Sequence, residues 1–270
     1  MAQRTPNDLC LLCRESNATK KNSHIIPKFL AKPILGEGQQ KTSYTINPRG
    51  SRVVSKKEQD SPKEDYILCP VCEKYFAGLE TYMSKKIFTK IGTAKEEGDS
   101  RFVRDEGGKE AIYFEGVDSH IVHLFFVSIL WRCSNSSIAP FQGFEIPDSE
   151  QFRVYLRNGM KDKTKEKAEN DIRIAEFPII VFKVKTQHNH TSNLIYTVGG
   201  TNTGLWQVMV DDLLFWYGKP ETPIIQAFKS AWVLNNGKFI ITLLDNEFWQ
   251  QLTHNLLQQA ANLTKMIAAR

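Results

Sequence analysis

The chain has 270 residues, of which 41% are hydrophobic and 11% aromatic, and its formal net charge is +5. This length suffices for one large or two modest domains, and the apolar content excludes a disordered chain. No run approaches the roughly 18 apolar residues that a membrane-spanning helix needs, and the first residues lack the apolar segment of an export signal. We therefore expect a soluble protein of the cytoplasm without a membrane partner.

The basic excess lies in the N-terminal third of the chain. Residues 1–92 contain 16 Lys and Arg against 9 Asp and Glu, whereas residues 93–270 contain 19 against 21. A local surplus of seven positive charges is the direction expected of a segment that contacts phosphate. Taken alone, however, a solvated lysine-rich loop is the more common explanation of such a surplus.

The first chemical signature along the chain is a pair of cysteines, Cys10 and Cys13, which is matched downstream by Cys69 and Cys72. In a cytoplasmic protein, two Cys-x-x-Cys pairs are typical of metal ligands rather than of disulfides. Four thiolates complete a tetrahedral zinc site, which would join the ends of a segment whose own composition promises little core. The fifth cysteine, Cys133, lies in an apolar run and is expected to be a buried thiol.

Few regular elements are predicted around the cysteines. Residues 28–61 are rich in Gly, Pro, Ser, Gln and charge, and they predict a hairpin-like or irregular segment. Apolar residues recur at three- and four-residue steps from Cys72 to Ile91 and predict a helix. The second cysteine pair would then share its ion with a helix N-terminus, as in a treble clef, where the helix dipole favours the anionic thiolates.

A charged, glycine-containing segment at residues 93–108 is the predicted boundary between two domains, residues 1–92 and residues 109–270. The second domain begins with a helix that Asp118 caps, over the apolar segment from His120 to Cys133. The other predicted elements are a short helix, four strand-like runs and a terminal helix, at residues 149–158, then 178–184, 193–198, 205–217 and 238–243, then 246–269. Consecutive strands favour an α+β domain with a mostly antiparallel sheet.

The residues between and after the cysteine pairs carry a family resemblance. Ser23-His24-Ile25-Ile26-Pro27 lies between the pairs, and Glu73 directly follows the second pair. The motifs follow one another in a fixed order: a cysteine pair, then His-Ile-Ile-Pro, then a second cysteine pair that opens a helix. In this order the sequence resembles the HNH (ββα-metal) endonucleases over about residues 8–92. The whole chain also resembles a set of bacterial proteins that share these motifs together with a second glutamate, Glu80, and an apolar helix ending in Trp131-Arg132. The resemblance implies an N-terminal ββα-metal module of treble-clef type, held by zinc.

The resemblance also implies a role for each matching residue. His24 would be the general base that deprotonates a water, a task that a neutral imidazole suits near neutral pH. Glu73 and, two turns along the same helix face, Glu80 would hold a divalent ion, Mg²⁺ or Mn²⁺, which stabilises the phosphate under attack and the leaving oxygen. The four cysteines would hold a separate structural zinc. For both glutamates the alternative is a solvated carboxylate near a helix start.

Two positions depart from the family pattern. Ser23 stands where the family usually has Asp, Glu or His, and a serine hydroxyl is a weak ligand, so a lower metal affinity is expected. Glu73 stands where Asn or His is usual, and its carboxylate is a good ligand for Mg²⁺ or Mn²⁺ that would compensate for the serine.

Two functions therefore stay open from the sequence. The first is a metal-dependent HNH-like endonuclease that cleaves DNA, in bacterial defence or a mobile element, with a C-terminal domain for recognition, oligomerisation or regulation. The second is a catalytically eroded zinc module that recognises nucleic acid or a protein partner. Ser23 favours the second function, whereas His24 with the two glutamates favours the first. Basic residues of the N-terminal part would line the path of the DNA phosphates, namely Lys20, Lys21, Lys28, Arg49, Arg52, Lys56, Lys57, Lys85 and Lys86.

Other residues of interest have simpler explanations. His188-Asn189-His190 predicts a polar loop, and His120 and His123, which share a helix face, predict core or capping histidines rather than metal ligands. Trp131-Arg132 predicts cation–π packing in preference to a phosphate contact. Asp211-Asp212 interrupts a strand-like run, either as a bulge or exposed edge or as a carboxylate pair.

Overall fold

A computed structural model describes residues 3–35, 43–46, 53–56, 60–94, 98–106, 108–138, 141–161, 176–185, 194–199, 204–233, 237–251, 254 and 258. The strands are β1 (Ser23–His24), β2 (Ser43–Ile46), β3 (Val53–Lys56), β4 (Lys63–Glu64), β5 (Ser100–Arg104), β6 (Glu110–Glu115), β7 (Ile179–Val184), β8 (Leu194–Val198), β9 (Leu205–Val210), β10 (Leu213–Gly218) and β11 (Lys238–Leu244). The α-helices are α1 (Lys28–Leu35), α2 (Pro70–Met83), α3 (Thr89–Ile91), α4 (Ser119–Asn135), α5 (Ser149–Lys161) and α6 (Pro223–Ala227). None of the described helices has the length and apolar character that a bilayer crossing requires.

Within the described residues, nine strands form one sheet in the order β3-β2-β8-β9-β10-β7-β11-β6-β5. Its described strand pairs are antiparallel except β7 with β11 and β2 with β8, which run parallel. The protein is therefore a mixed α+β structure with a mostly antiparallel sheet, as the succession of strand-like runs predicts.

A separate two-stranded ladder lies near the cysteines. Strands β1 and β4 are antiparallel, with Ser23 opposite Glu64 and His24 opposite Lys63. Helix α2 follows β4, with Cys69 at its N-cap and Pro70 in its first turn. Backbone N–H groups in the first turn have no partner within the helix, so the missing N–H of proline costs no hydrogen bond there. A π-helical turn (Ser84–Phe88) and α3 extend α2 to Ile91, so the helix predicted from Cys72 to Ile91 is confirmed.

Helix α4 lies at the centre of the molecule. Asp118 caps it as predicted, because its carboxylate accepts a hydrogen bond from the Ile121 amide. Nearly every side chain of the helix is buried, since Phe126 packs against Phe215 of the sheet on one side and Trp131 packs against Phe76 of α2 on another. A helix that is apolar all round is expected to be enclosed in this way.

The two predicted domains share one core in the structure. The largest hydrophobic cluster contains Cys72 and Phe76 from the N-terminal part together with Phe125 and Phe215 from the C-terminal part. Strand β2 of the N-terminal part also belongs to the nine-stranded sheet, through its parallel pairing with β8. The division into two separately folding domains stays a prediction.

Three elements differ from those predicted. The segment 93–108 contains strand β5, which pairs with β6, and the segment 28–61 opens with helix α1 before its predicted hairpin, β2–β3. The run 205–217 is not a single strand, because Asp211-Asp212 forms a two-residue hairpin turn between β9 and β10. Asp211 has a φ of 57°, a left-handed conformation that aspartate tolerates better than most residues. The predicted loop at 188–190 lies outside the described residues.

Candidate metal centre and the histidine beside it

Four buried cysteine sulfurs converge where α2 begins. The Sγ atoms of Cys10, Cys13, Cys69 and Cys72 all lie within 4.8 Å of one another, and the Cys13 and Cys69 sulfurs are 3.9 Å apart. In a tetrahedral site with Zn–S bonds of about 2.3 Å, neighbouring sulfurs are about 3.8 Å apart. The donor set and its spacing therefore fit a four-coordinate metal such as zinc.

The thiols of this cluster influence one another's protonation. A hydrogen bond from the Cys72 thiol lowers the pKa of Cys10 to about 5, and the same bond raises the pKa of Cys72. Burial raises the pKa of Cys69. The Cys10–Cys72 pair thus favours one thiolate and one thiol, and the thiols that remain protonated must release their protons when a metal binds, so metal affinity falls as the pH falls.

Helix α5, from the C-terminal part of the chain, hydrogen-bonds the turn that contains the first cysteine pair. The Arg153 guanidinium donates to the Leu12 carbonyl at 2.9 Å, inside the Cys-x-x-Cys turn. Glu150 binds Arg153 and also accepts a two-pronged hydrogen bond from Arg14, the residue after the second cysteine of the pair. The Cys-x-x-Cys turn is therefore fixed by residues about 140 positions later in the chain.

His24 faces a carboxylate, Asp60, that no sequence motif singles out. The His24 Nε2 atom lies 3.6 Å from Asp60 Oδ1, while Lys63 Nζ lies 2.5 Å from Asp60 Oδ2. Burial works against ionisation of Asp60, but the bonds from Lys63 and from the Ser61 amide outweigh it and lower the pKa of Asp60. Among the described residues, His24 Nε2 has no hydrogen-bond partner although that atom is buried. The buried His24 Nε2 atom needs a hydrogen-bond partner, and the ionised Asp60 carboxylate lies just beyond hydrogen-bonding distance from it.

Ser23, the residue before His24 on β1, contacts Glu73. The Ser23 hydroxyl, which is fully buried, donates to Glu73 Oε2 at 2.8 Å. Within the part of the chain that the structure describes, the four cysteines are the only group of three or more His, Cys, Asp or Glu side chains close enough to share a metal ion. A hard cation at Ser23 and Glu73 would therefore take its other ligands from water or substrate, as Mg²⁺ commonly does.

The second predicted ion ligand, Glu80, lies against a buried arginine. Glu80 Oε1 accepts from Arg132 Nη1 at 2.8 Å, and the same nitrogen donates to the His24 carbonyl at 2.7 Å. The Arg132 guanidinium also lies 5.0 Å from the centre of the Phe76 ring. Arg132 therefore makes cation–π packing as predicted, with Phe76 as the ring, and its burial leaves it unsuited to contact a DNA phosphate.

The loop after α4 binds the other strand of the small ladder. The Glu64 carboxylate accepts from the Ser136 hydroxyl at 2.6 Å and from both the hydroxyl and the amide of Ser137. On the same strand pair, the Asp65 carboxylate accepts from the Asn22 amide at 2.7 Å. Glu64 is thereby fully engaged within the protein.

Of the predicted DNA-contacting residues, Lys21, Lys28, Lys85 and Lys86 are exposed and Lys20 is partly exposed. Lys85 and Lys86 lie in the π-helical turn that follows α2. The other four, Arg49, Arg52, Lys57 and the side chain of Lys56, lie outside the described residues.

His123 is a core histidine, as predicted. It is fully buried, and its ring nitrogens lie 3.0 Å from the Tyr155 hydroxyl and 2.8 Å from the Phe177 carbonyl. Tyr155 also contacts His120, at 3.3 Å. Burial lowers the pKa of His123 to about 4, so its imidazole is neutral at physiological pH.

No protein-family model matches the chain, and no curated protein or solved structure is significantly similar to it. The class that the structure itself defines is a mixed α+β protein with a buried four-cysteine cluster that can hold a metal such as zinc.

Proposed function

We propose that the protein is a metal-dependent, HNH-like endonuclease that hydrolyses phosphodiester bonds of DNA. One observation carries the proposal: Ser23 and Glu73, which match the family's ion-binding positions, are in contact at 2.8 Å although 50 positions separate them in the chain. The residue that matches the general base, His24, is the neighbour of Ser23 on β1. The side chains at two of the family's functional positions are thus in contact, and the third position adjoins one of them along the chain.

The order of elements around the cysteines supports a ββα-metal module of treble-clef type. An antiparallel pair, β1 and β4, is followed by α2, and the cysteine cluster lies between a Cys-x-x-Cys turn and the start of that helix. In this proposal the cysteines hold a structural zinc that fixes α2, and hence Glu73, against β1.

The chain's own residues would divide the chemistry as follows. Glu73 and Ser23 would hold Mg²⁺ or Mn²⁺, and the bound ion would supply charge stabilisation for the phosphate and the leaving oxygen. With Nε2 directed at Asp60, the other ring nitrogen of His24, Nδ1, would accept the proton from the attacking water. The ionised Asp60 would hold the Nε2–H tautomer in place and stabilise the imidazolium that forms.

DNA would reach this site over exposed lysines of the same part of the chain. Lys21 and Lys28 flank the Ser23-His24 strand in sequence, and Lys85 and Lys86 follow α2. Cations of this kind bind phosphates without regard to base sequence, so binding should weaken steeply with salt.

The proposal is tested by incubating supercoiled plasmid with the protein and Mg²⁺ or Mn²⁺. We expect cleavage by the wild type and a loss of at least about a hundredfold in His24→Ala and Glu73→Ala, since a general base alone contributes that much. His254→Ala, which replaces an exposed histidine, is the matched control and should cleave normally. Cleavage that survives both site substitutions would refute the assignment.

The second candidate function is a zinc module that binds nucleic acid or a protein without cleaving. It is favoured because, among the described residues, Glu73 belongs to no group of three or more His, Cys, Asp or Glu side chains close enough to share an ion. Salt-dependent DNA binding without cleavage under either metal would select this function over the nuclease.

A further inference from the structure

The C-terminal end of α4 contacts both strands of the ladder that carries the candidate site. Arg132 donates to the His24 carbonyl on β1 at 2.7 Å, and Ser136 and Ser137 donate to the Glu64 carboxylate on β4. The ladder itself consists of two residue pairs. An isolated two-stranded ladder is marginal even when it is longer, so its geometry depends on what holds it from outside.

Arg132 is itself held rigidly. Its Nε donates to the Ser128 carbonyl at 3.2 Å, its Nη2 lies 3.3 Å from the Ser128 hydroxyl, and its planar face covers Phe76. These contacts orient the guanidinium, whose fork of donors is planar and pre-organised. The remaining nitrogen, Nη1, is shared between the Glu80 carboxylate and the His24 carbonyl. Glu80 thus neutralises the buried charge of Arg132 at the same nitrogen that donates to the His24 carbonyl on β1.

We propose that Arg132 is a positioning residue for His24, with Glu80 as its counter-ion. The inference rests on the proposed function, and it gives Glu80 a role other than that of an ion ligand. Arg132 acts through the backbone of His24: it sets the position of the imidazole relative to Asp60, whose Oδ1 lies 3.6 Å from Nε2. A displacement of about 1 Å between reacting groups can reduce a rate by about a hundredfold.

The test compares Arg132→Lys with Tyr155→Phe in the full-length protein. Lysine keeps the charge and loses the fork of donors. Tyr155→Phe instead removes a buried hydroxyl of α5 that bonds His123, which lies on α4 like Arg132. We expect Arg132→Lys to lower kcat by about ten- to a hundredfold, with KM for plasmid and the half-saturating Mn²⁺ concentration unchanged. Tyr155→Phe should lower thermal stability and leave kcat unchanged. An equal kcat in Arg132→Lys and wild type, both folded by circular dichroism, would overturn the proposal.

Glu80→Gln provides a second variant should the lysine variant unfold. If Glu80 serves Arg132, this substitution lowers kcat at an unchanged Mn²⁺ requirement. A raised Mn²⁺ requirement with unchanged kcat would show that Glu80 is a ligand of the ion and would contradict its role as the counter-ion of Arg132.

A readout without turnover separates this proposal from the nuclease itself. The His24 ring signals in a proton–carbon NMR spectrum are assigned by their loss in His24→Gln, and they report the surroundings of the imidazole directly. We expect them to move or broaden in Arg132→Lys and to stay in place in Tyr155→Phe. If the wild type cleaves nothing but the signals respond in this way, the nuclease proposal fails and the positioning role stands. Unmoved signals in Arg132→Lys overturn the positioning role.

Discussion

The Ser23 hydroxyl donates a hydrogen bond to the Glu73 carboxylate in a place where a second charged ligand would be expected of an HNH-type site. Two carboxylates at this distance repel each other until a cation joins them. A serine and a carboxylate attract each other instead. The arrangement is therefore stable before any ion binds, and it lacks one negative charge with which to attract that ion.

Ser23→Asp should strengthen ion binding at this site. Each added charged oxygen ligand raises the affinity of a site for Mg²⁺ or Mn²⁺, and we expect the half-saturating Mn²⁺ concentration for cleavage to fall about tenfold. The metal-free variant should be less stable than the wild type, because two carboxylates then face each other. Ser23→Ala is the control and should show the opposite change in Mn²⁺ requirement. The same requirement in all three proteins would contradict a site at Ser23 and Glu73.

Cys69→Ser should release the zinc. Three thiolates and a hydroxyl bind zinc far more weakly than four thiolates, and structural zinc contributes on the order of 10 kcal/mol to the folding of small zinc domains. Elemental analysis should find about one zinc per wild-type chain and almost none in the variant. Cys133→Ala replaces the buried cysteine that lies outside the cluster and should retain its zinc. Equal zinc content in Cys69→Ser and wild type would show that the cluster is not the zinc site.

Asp60→Asn should slow cleavage without changing the Mn²⁺ requirement. Asparagine cannot stabilise the imidazolium of His24, so we expect kcat to fall by about ten- to a hundredfold. Asp99→Asn, which replaces a largely exposed carboxylate, is the control. An unchanged rate at neutral pH would assign Asp60 to the ion pair with Lys63 alone.

His123 should make the protein less stable in mild acid. Its pKa is about 4 in the folded state, against an ordinary value of 6.5 for an exposed imidazole, so between these values the unfolded chain binds the extra proton. The free energy of unfolding therefore falls as the pH falls, by about 1.5 kcal/mol from this residue between about pH 6.5 and pH 5. Urea unfolding should show this slope in the wild type and lose it in His123→Gln. A slope that persists in the variant would assign it to other groups.

The fragment 1–92 should not fold as an independent domain. In the intact chain its Phe76 packs against Trp131, and its Leu12 carbonyl is bound by Arg153. Without these partners the apolar face of α2 is exposed, and a domain of this size has little core to spare. We expect the zinc-loaded fragment to lack a cooperative thermal transition. A sharp transition with a well-dispersed NMR spectrum would instead support two separate domains.

The parts of the site that the sequence predicts are those with local signatures. The cysteine spacing requires only that each pair form a turn, so the four-sulfur cluster is predicted from two pairs of residues three positions apart. Helix α2 follows from its apolar period, and the burial of His123 follows from its place in an apolar helix. The strand register that brings Ser23 opposite Glu64 has no comparable signature, because each strand has only two residues.

The contacts made over long separations are less accessible to prediction. Asp60 lies in a charged, proline-containing segment that gives no sign of facing His24. Arg132 is distinguished only as a charge inside an apolar helix, which indicates a buried partner without naming it. The turn at Asp211-Asp212 lacks the glycine that usually marks a two-residue hairpin, so the run around it predicts one strand where the structure has two.

The bond from Arg132 to the His24 carbonyl spans 108 positions of the chain. A ribosome releases the Cys-x-x-Cys and His-Ile-Ile-Pro segments well before it releases the end of α4, and the N-terminal part of a chain is the first to emerge. During that interval β1 can pair with β4 but lacks its bond to Arg132. The backbone of His24 therefore gains its bond to Arg132 only after more than 130 residues have been made.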